Sequence, residues 1–169
     1  MTADPAPGAN ASIVGTVPLR SRFERWTDEA ACAASAAALA ARPGIWLSCI
    51  ELDGPLGAGK TTFVRHLLRA LGVRGRVRSP TYTLAEPYEV GGHTAWHFDF
   101  YRFDDPREWM DAGLRDAFAA PGLKLCEWPQ RARALLPVPD LRLVIEPGHG
   151  EERGVRLEAC TERGAALLG

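Results

Sequence analysis

The 169-residue chain sets 20 Lys and Arg against 21 Asp and Glu, a net charge of −1, and 46% of its residues are hydrophobic. That length suits one domain with a three-layer core that needs no covalent staples. The near-neutral charge lacks the signature of a nucleic-acid binder, and no apolar run reaches the length of a membrane span, so both classes are excluded as global readings.

Met1 to about Val17 is rich in Pro, Ala and Gly, without a basic n-region or a long apolar stretch. It reads as a disordered tail and not as a signal peptide. A flexible tail over residues 1–20 then leaves a single domain over 21–169. Arg22–Trp26 alternates as a short edge strand would. Thr27 has the chemistry of an N-cap, with Asp28 and Glu29 complementing the dipole in the first turn. The alanine-rich segment to Ala41 is strongly helical and ends at Arg42-Pro43-Gly44. Ile45 to Leu52 is a mostly apolar run, as a buried parallel strand should be.

The next segment, Gly54-Pro55-Leu56-Gly57-Ala58-Gly59-Lys60-Thr61, fits the phosphate-loop pattern G-x-x-x-x-G-K-[ST]. Glycines let successive backbone N–H groups turn inward around phosphates, where a side chain would obstruct them. Lys60 reaches the β/γ oxygens as a point charge, and the Thr61 hydroxyl sits on Mg²⁺. Downstream, Phe63, Val64, Leu67, Leu68 and Leu71 recur at helical spacing, and Gly72 stands where a helix ends. A chance glycine-rich turn would lack this context of strand, loop and helix. The only lysines are Lys60 and Lys124, so a chain that writes its cations as arginine keeps lysine where a compact ammonium fits between phosphates.

Arg74-Gly75-Arg76-Val77-Arg78 is a local basic patch, for which a solvated face is the commoner explanation. Ser79-Pro80-Thr81 follows, placed where switch segments sense a γ-phosphate, although it is also ordinary turn chemistry. Tyr82 to Val90 alternates, Gly91-Gly92 is a two-residue turn, and His93 to Tyr101 returns as a strand. Trp96, Phe98 and Phe100 share one face of it; His97, Asp99 and Tyr101 share the other. Asp105-Pro106-Arg107-Glu108 opens a helix with Asp at the N-cap, Pro at N1 and Glu completing a capping box. Leu123–Glu127 is a short apolar strand ending in a carboxylate, and Pro129 opens a helix that stops near Pro137. Leu141–Glu146 and Arg153–Ala159 form a hairpin across Pro147-Gly148-His149-Gly150. No internal repeat is evident. These elements predict a P-loop NTPase-type three-layer α/β sandwich, its sheet mixed and mostly parallel with antiparallel hairpin strands.

Cys32, Cys49, Cys126 and Cys160 show no C-x-x-C pairing, and His66, His93, His97 and His149 no zinc spacing. Three of the cysteines lie in apolar or alanine-rich segments and are expected as small core residues in a reducing cytosol, which makes the chain soluble and cytoplasmic. Two carboxylates are candidates for the rest of a Mg²⁺–nucleotide site. Glu127 stands at a strand end, where a carboxylate completes a metal's outer coordination; a surface Glu capping the next helix is the plainer alternative. Asp99 lies mid-strand, where an aspartate needs a partner or a task; an ion pair with Arg102 or backbone hydrogen bonds would serve as the former. Guanine readers of the GTPase type use an Asn/Thr-Lys-x-Asp loop. Asn10 is the only asparagine, and Lys124 has no aspartate two places on, which favours ATP over GTP.

From about Thr27 to its end the chain resembles the TsaE family, small ATPases of bacterial tRNA threonylcarbamoyladenosine biosynthesis. The phosphate loop through Thr62-Phe63, Ser79-Pro80-Thr81-Tyr82-Thr83-Leu84, His97-Phe98-Asp99-Phe100-Tyr101-Arg102 and Glu127-Trp128-Pro129 carry the resemblance together. It implies a protein that binds and hydrolyses ATP in a complex with TsaD and TsaB, the pair that places a threonylcarbamoyl group on adenosine 37 of tRNAs reading ANN codons. Hydrolysis would support turnover of that complex, the transfer itself belonging to TsaD, and tRNA would be met only through the complex. By the same resemblance, Thr61 and Glu127 bind Mg²⁺, and the loop residues Gly57, Ala58, Gly59, Lys60, Thr61 and Thr62 hold the phosphates. Asp99 and Thr81 join Lys60 in the hydrolytic apparatus. Thr27 to Glu29 lie near the adenine, and Trp128 packs beside the nucleotide. Phe100 and Phe103 stand where leucines are expected, and Cys126 where a β-branched residue is, all core-type exchanges. Three rival readings remain. A small-molecule kinase would use Arg74–Arg78 as a lid, but the segment is short. A nucleotide-binding module would bind without turnover. Autonomous tRNA binding is opposed by the charge.

Overall fold

The structure, a computed structural model, describes residues 16–111 and 113–169; the start of the expected tail, residues 1–15, lies outside it. Strands β1 (Arg20–Trp26), β2 (Cys49–Asp53), β3 (Ala85–Val90), β4 (His93–Asp99), β5 (Leu123–Glu127), β6 (Leu141–Pro147) and β7 (Arg153–Ala159) form one sheet, ordered β1-β7-β6-β2-β5-β4-β3. The inner strands β6, β2, β5 and β4 run parallel. Antiparallel strands extend both sides: β3 on β4, and β7 then β1 beyond β6. Helices α1 (Glu29–Ala40), α2 (Lys60–Ala70), α3 (Arg107–Asp111), α4 (Leu114–Ala119) and α5 (Glu162–Leu168) complete the sandwich.

Alternation along the strands divides the core in two. Ile50, Leu52, Leu123 and Leu125 pack against Phe63, Val64, Leu67 and Leu68 of α2 on one face. Each side chain so buried contributes about 1.5–3 kcal/mol. Phe98, Phe100, Phe103 and Cys126 pack with Trp109 and Leu114 of α3 and α4 on the other. The core-type exchanges at Phe100, Phe103 and Cys126 therefore lie in this second cluster. All cysteines are free thiols, with Cys32, Cys126 and Cys160 buried. Burial pushes the Cys32 thiol up to about 12.

Several expected elements move, each for a local reason. The apolar run at Ile45 begins as a 3-10 turn over Ile45–Leu47, and β2 starts only at Cys49. Left-handed Gly44 (φ 87°) and the Ser48 hydroxyl donating to its carbonyl at 2.8 Å hold that turn, while Trp46 stacks on His93. The N-cap of α1 is Asp28, not Thr27: its carboxylate accepts from the Ala31 amide at 2.9 Å. β3 begins at Ala85 instead of Tyr82, because left-handed Leu84 (φ 66°) closes a turn onto the Pro80 carbonyl at 2.7 Å. β4 stops at Asp99, whose carboxylate accepts from the Tyr101 amide and turns the chain. The expected helix at Pro129 is a single 3-10 turn, Pro129–Ala132. Gly72 does end α2: left-handed at φ 106°, it lets the Val73 amide reach back to the Leu68 carbonyl.

Beneath the Pro129 turn, Glu51 is almost fully buried and holds two arginines, Arg133 Nη1 at 2.7 Å and Arg142 Nε at 3.2 Å. Removing both partners would leave its carboxylate buried and uncompensated. The Arg133→Ala, Arg142→Ala double variant is expected to lose about 3–5 kcal/mol of stability, read by urea unfolding.

Candidate functional site

The phosphate-loop segment links β2 to the N-terminus of α2. Gly54, Gly57 and Gly59 all take positive φ, at 155°, 77° and 106°. At Gly54 a Cβ would lie 2.5 Å from the Ile145 carbonyl, so β6 and the loop can meet only at glycine. Gly59 precedes α2 with no capping side chain, so the first amides of the helix face outward with the positive end of its dipole. From β7, Arg153 Nε donates to the Ala58 carbonyl at 2.9 Å. A trans peptide points its N–H opposite its C=O, so the Gly59 amide points away from Arg153. Such an array of amides suits an anion.

Lys60 is the first residue of α2 and is buried. Its ammonium donates to the Gly54 and Pro55 carbonyls and lies 4.0 Å from the centre of the Trp128 ring. Burial draws its pKa below the usual lysine value, while the carboxylates of Glu127, Asp53 and Asp99 oppose that shift. Trp128 takes a left-handed backbone (φ 55°) and packs on Tyr101, which holds its indole over the lysine.

Parallel pairing of β4 and β5 sets Asp99 beside Glu127, on the sheet face that carries α2. Both carboxylates are buried. The Thr61 hydroxyl lies 2.9 and 3.0 Å from the two Glu127 oxygens, and His97 Nε2 lies 2.8 Å from Oε1. Asp99 Oδ2 accepts from the Ser79 hydroxyl and from Thr81 Oγ1 at 3.3 Å. Of the plainer roles for Asp99, the backbone hydrogen bond is present, from the Tyr101 amide at 2.9 Å. The ion pair is not: the Arg102 guanidinium lies 4.7 Å over the Tyr82 ring instead.

Lys60, Thr61, Thr81, Asp99, Glu127 and Trp128 thus border one cavity of about 270 Å³, which Gly57, Gly59, Thr62 and Ser79 also line. A second pocket of about 210 Å³ shares Gly59 and Thr62 with the first and is lined also by Trp26, Asp28, Glu29, Ala58 and Arg153 among others. Thr27 is exposed and does not line it. At the Thr61–Glu127 pair the first cavity offers hard oxygens, a hydroxyl and a carboxylate. Among the described residues no group of three or more His, Cys, Asp and Glu side chains is arranged to hold a metal. That pair fits an ion such as Mg²⁺, which takes few protein ligands and fills its octahedron with water and phosphate oxygens.

Two side chains here carried no assigned role from the sequence, and a third had only its segment's. His97 was legible as a face-mate of Asp99, but its partner depends on the β4–β5 register. Ser79 was read with Pro80 and Thr81 as a switch or turn segment, without its hydrogen bond to Asp99. Arg153 sits 95 residues from the carbonyl it holds, and no local signal marks it.

Fold and loop together define a P-loop NTPase-type sandwich. The family profile described as "Threonylcarbamoyl adenosine biosynthesis protein TsaE" matches residues 26–155, and the chain belongs to this family. It is 40% identical over 119 residues to the tRNA threonylcarbamoyladenosine biosynthesis protein TsaE of Haemophilus influenzae, covering 70% of this chain and 75% of that one. The protein of the same name from Bacillus subtilis is 35% identical over 136 residues, covering 80% and 83%. Among solved structures, Bacillus subtilis YdiB superposes with a TM-score of 0.72 at 28% identity, over 88% of this chain and 92% of that one. No helix among the described residues is long and apolar enough to cross a membrane.

Proposed function

We propose that this chain is a Mg²⁺-dependent ATPase acting with TsaD and TsaB in the formation of threonylcarbamoyladenosine at position 37 of tRNAs reading ANN codons. One observation carries the reading: the Thr61–Glu127 pair and the Asp99–Ser79–Thr81 cluster lie side by side in the lining of one cavity that Lys60 also borders. In a P-loop hydrolase these are the places of the metal, the attacking water and the γ-phosphate.

The division of labour follows from the chain's own groups. The amides that open α2 hold phosphate oxygens, and Lys60 exchanges the Gly54 and Pro55 carbonyls for them. Thr61 and Glu127 would hold Mg²⁺, which when bound neutralises charge on the phosphates. Asp99 already accepts two hydroxyl hydrogen bonds, so it can orient a water through Ser79 or Thr81. Asp28 and Glu29 line the second pocket, where the base and sugar of the nucleotide would lie. Arg76 and Arg78 line a groove with Tyr82 and Tyr88 that shares Ser79 with the main cavity, and neither arginine lines that cavity as a lid would.

Lys60→Ala tests this arrangement. The variant is expected to lose roughly 100-fold in affinity for Mg·ATP, about 3 kcal/mol of charge-assisted hydrogen bonding. Its fold should survive, since the ammonium is held only by loop carbonyls and the Trp128 face. Isothermal calorimetry beside a melting curve separates the two effects. Wild-type affinity in the variant would contradict the assignment.

A further inference from the structure

We propose that His97 is the positioning residue of Glu127: its imidazole fixes the carboxylate rotamer that a divalent cation requires. The inference rests on the proposed role of Glu127 toward that cation. β4 directs His97 to the α2 face, where its ring is fully buried, with Nε2 2.8 Å from Glu127 Oε1. An ionised carboxylate can only accept, so Nε2 is the nitrogen that carries the donated proton. Among the described residues Nδ1 is buried with no hydrogen-bond partner. Mere packing does not explain this choice of residue, since an apolar side chain would fill the space without an orphaned nitrogen.

Thr61 and Glu127 now satisfy each other, the hydroxyl lying 2.9 and 3.0 Å from the two carboxylate oxygens. A cation held by both groups would need a Glu127 oxygen kept in place, whether or not the Thr61 hydroxyl goes on donating to the carboxylate, since its lone pairs are free for the metal. The His97 contact is the one side-chain hydrogen bond to Glu127 that comes from a group outside that pair. Hydrogen bonds of this kind orient metal-binding carboxylates, and their loss typically lowers metal affinity 10–100-fold.

The test is a Mg²⁺ titration of AMP-PNP binding by calorimetry, run with and without the cation. His97→Leu removes the donor; His97→Gln keeps an N–H near the position of Nε2. His97→Leu is expected to need roughly 10–100-fold more Mg²⁺ for the same gain in nucleotide affinity. Its Mg²⁺-free affinity should stay at the wild-type value, and His97→Gln should restore most of the Mg²⁺ response. If the leucine variant fails to fold, His97→Asn, polar but too short to reach Glu127, is expected to show the same loss. Wild-type Mg²⁺ dependence in the leucine or asparagine variant overturns the inference and leaves the role of Glu127 standing. An equal loss of Mg²⁺-free and Mg²⁺-dependent binding in His97→Leu and His97→Gln also overturns it, marking His97 as purely structural. A wild-type protein whose nucleotide affinity ignores Mg²⁺ overturns both.

Discussion

Replacing Glu127 with alanine is expected to lower Mg²⁺-dependent ATP hydrolysis by roughly 100- to 1,000-fold, the scale for losing one pre-organised electrostatic group at a reacting centre. Glu127 ends β5 almost fully buried, where it meets Thr61 at the start of α2 and His97 on β4. A carboxylate desolvated to that degree is retained only with partners: here Thr61, which lines the cavity, and the fully buried His97. Nucleotide should still bind, because the α2 amides and the loop carbonyls that hold the Lys60 ammonium do not depend on the carboxylate. Glu127 is one of three carboxylates that oppose the fall in the Lys60 pKa, so the retained binding should weaken only modestly. The measurement is phosphate release across a Mg²⁺ titration, with nucleotide affinity followed in parallel. Normal turnover at every Mg²⁺ concentration would reduce Glu127 to a residue that starts the next turn.

Local chemistry made much of this molecule legible. The phosphate loop could be read because glycine, lysine and threonine at fixed spacing leave few alternatives, and β5 because Leu123–Glu127 is short, apolar and bounded by Gly122 and Pro129. The capping box at Asp105 is present, with Glu108 Oε1 accepting from the Asp105 amide at 3.1 Å. Apolar content alone could not separate the Ile45–Leu47 turn from a strand, since both bury hydrophobic side chains and only Gly44 and Ser48 decide between them. Neither α4 nor α5 was read from the pattern. At α5 the missing information is tertiary: Gly164 is required because a Cβ would lie 1.8 Å from the Asp140 carbonyl, a contact between distant segments. The site divides in the same way. Motifs named Lys60, Thr61, Asp99 and Glu127, but which groups meet depended on tertiary placement: the β4–β5 register brought in His97, the loop after α2 set Ser79 on Asp99, and β7 brought Arg153 to the phosphate loop.

The isolated protein is expected to hydrolyse ATP slowly, and TsaD with TsaB to raise the rate by roughly three orders of magnitude, the scale of a supplied arginine. Phosphoryl transfer needs cation density around the γ-phosphate and an oriented water. Lys60 is the only cationic side chain lining the main cavity among the described residues. Arg102, close to Asp99 in sequence, is engaged over Tyr82, and Arg153 is engaged on the Ala58 carbonyl. Leu56, which lines the cavity, and Tyr82, which follows Thr81, are exposed, so a nucleotide bound there would face solvent on that side. A partner surface would exclude water there and order Ser79 to Thr81 against the phosphate. Phosphate release at saturating Mg·ATP, measured for the protein alone and with the TsaD–TsaB pair, tests this most directly. Slow release that rises sharply with the pair is the expected result. Fast release unchanged by the partners, or tight ATP binding with no release even in their presence, would contradict it.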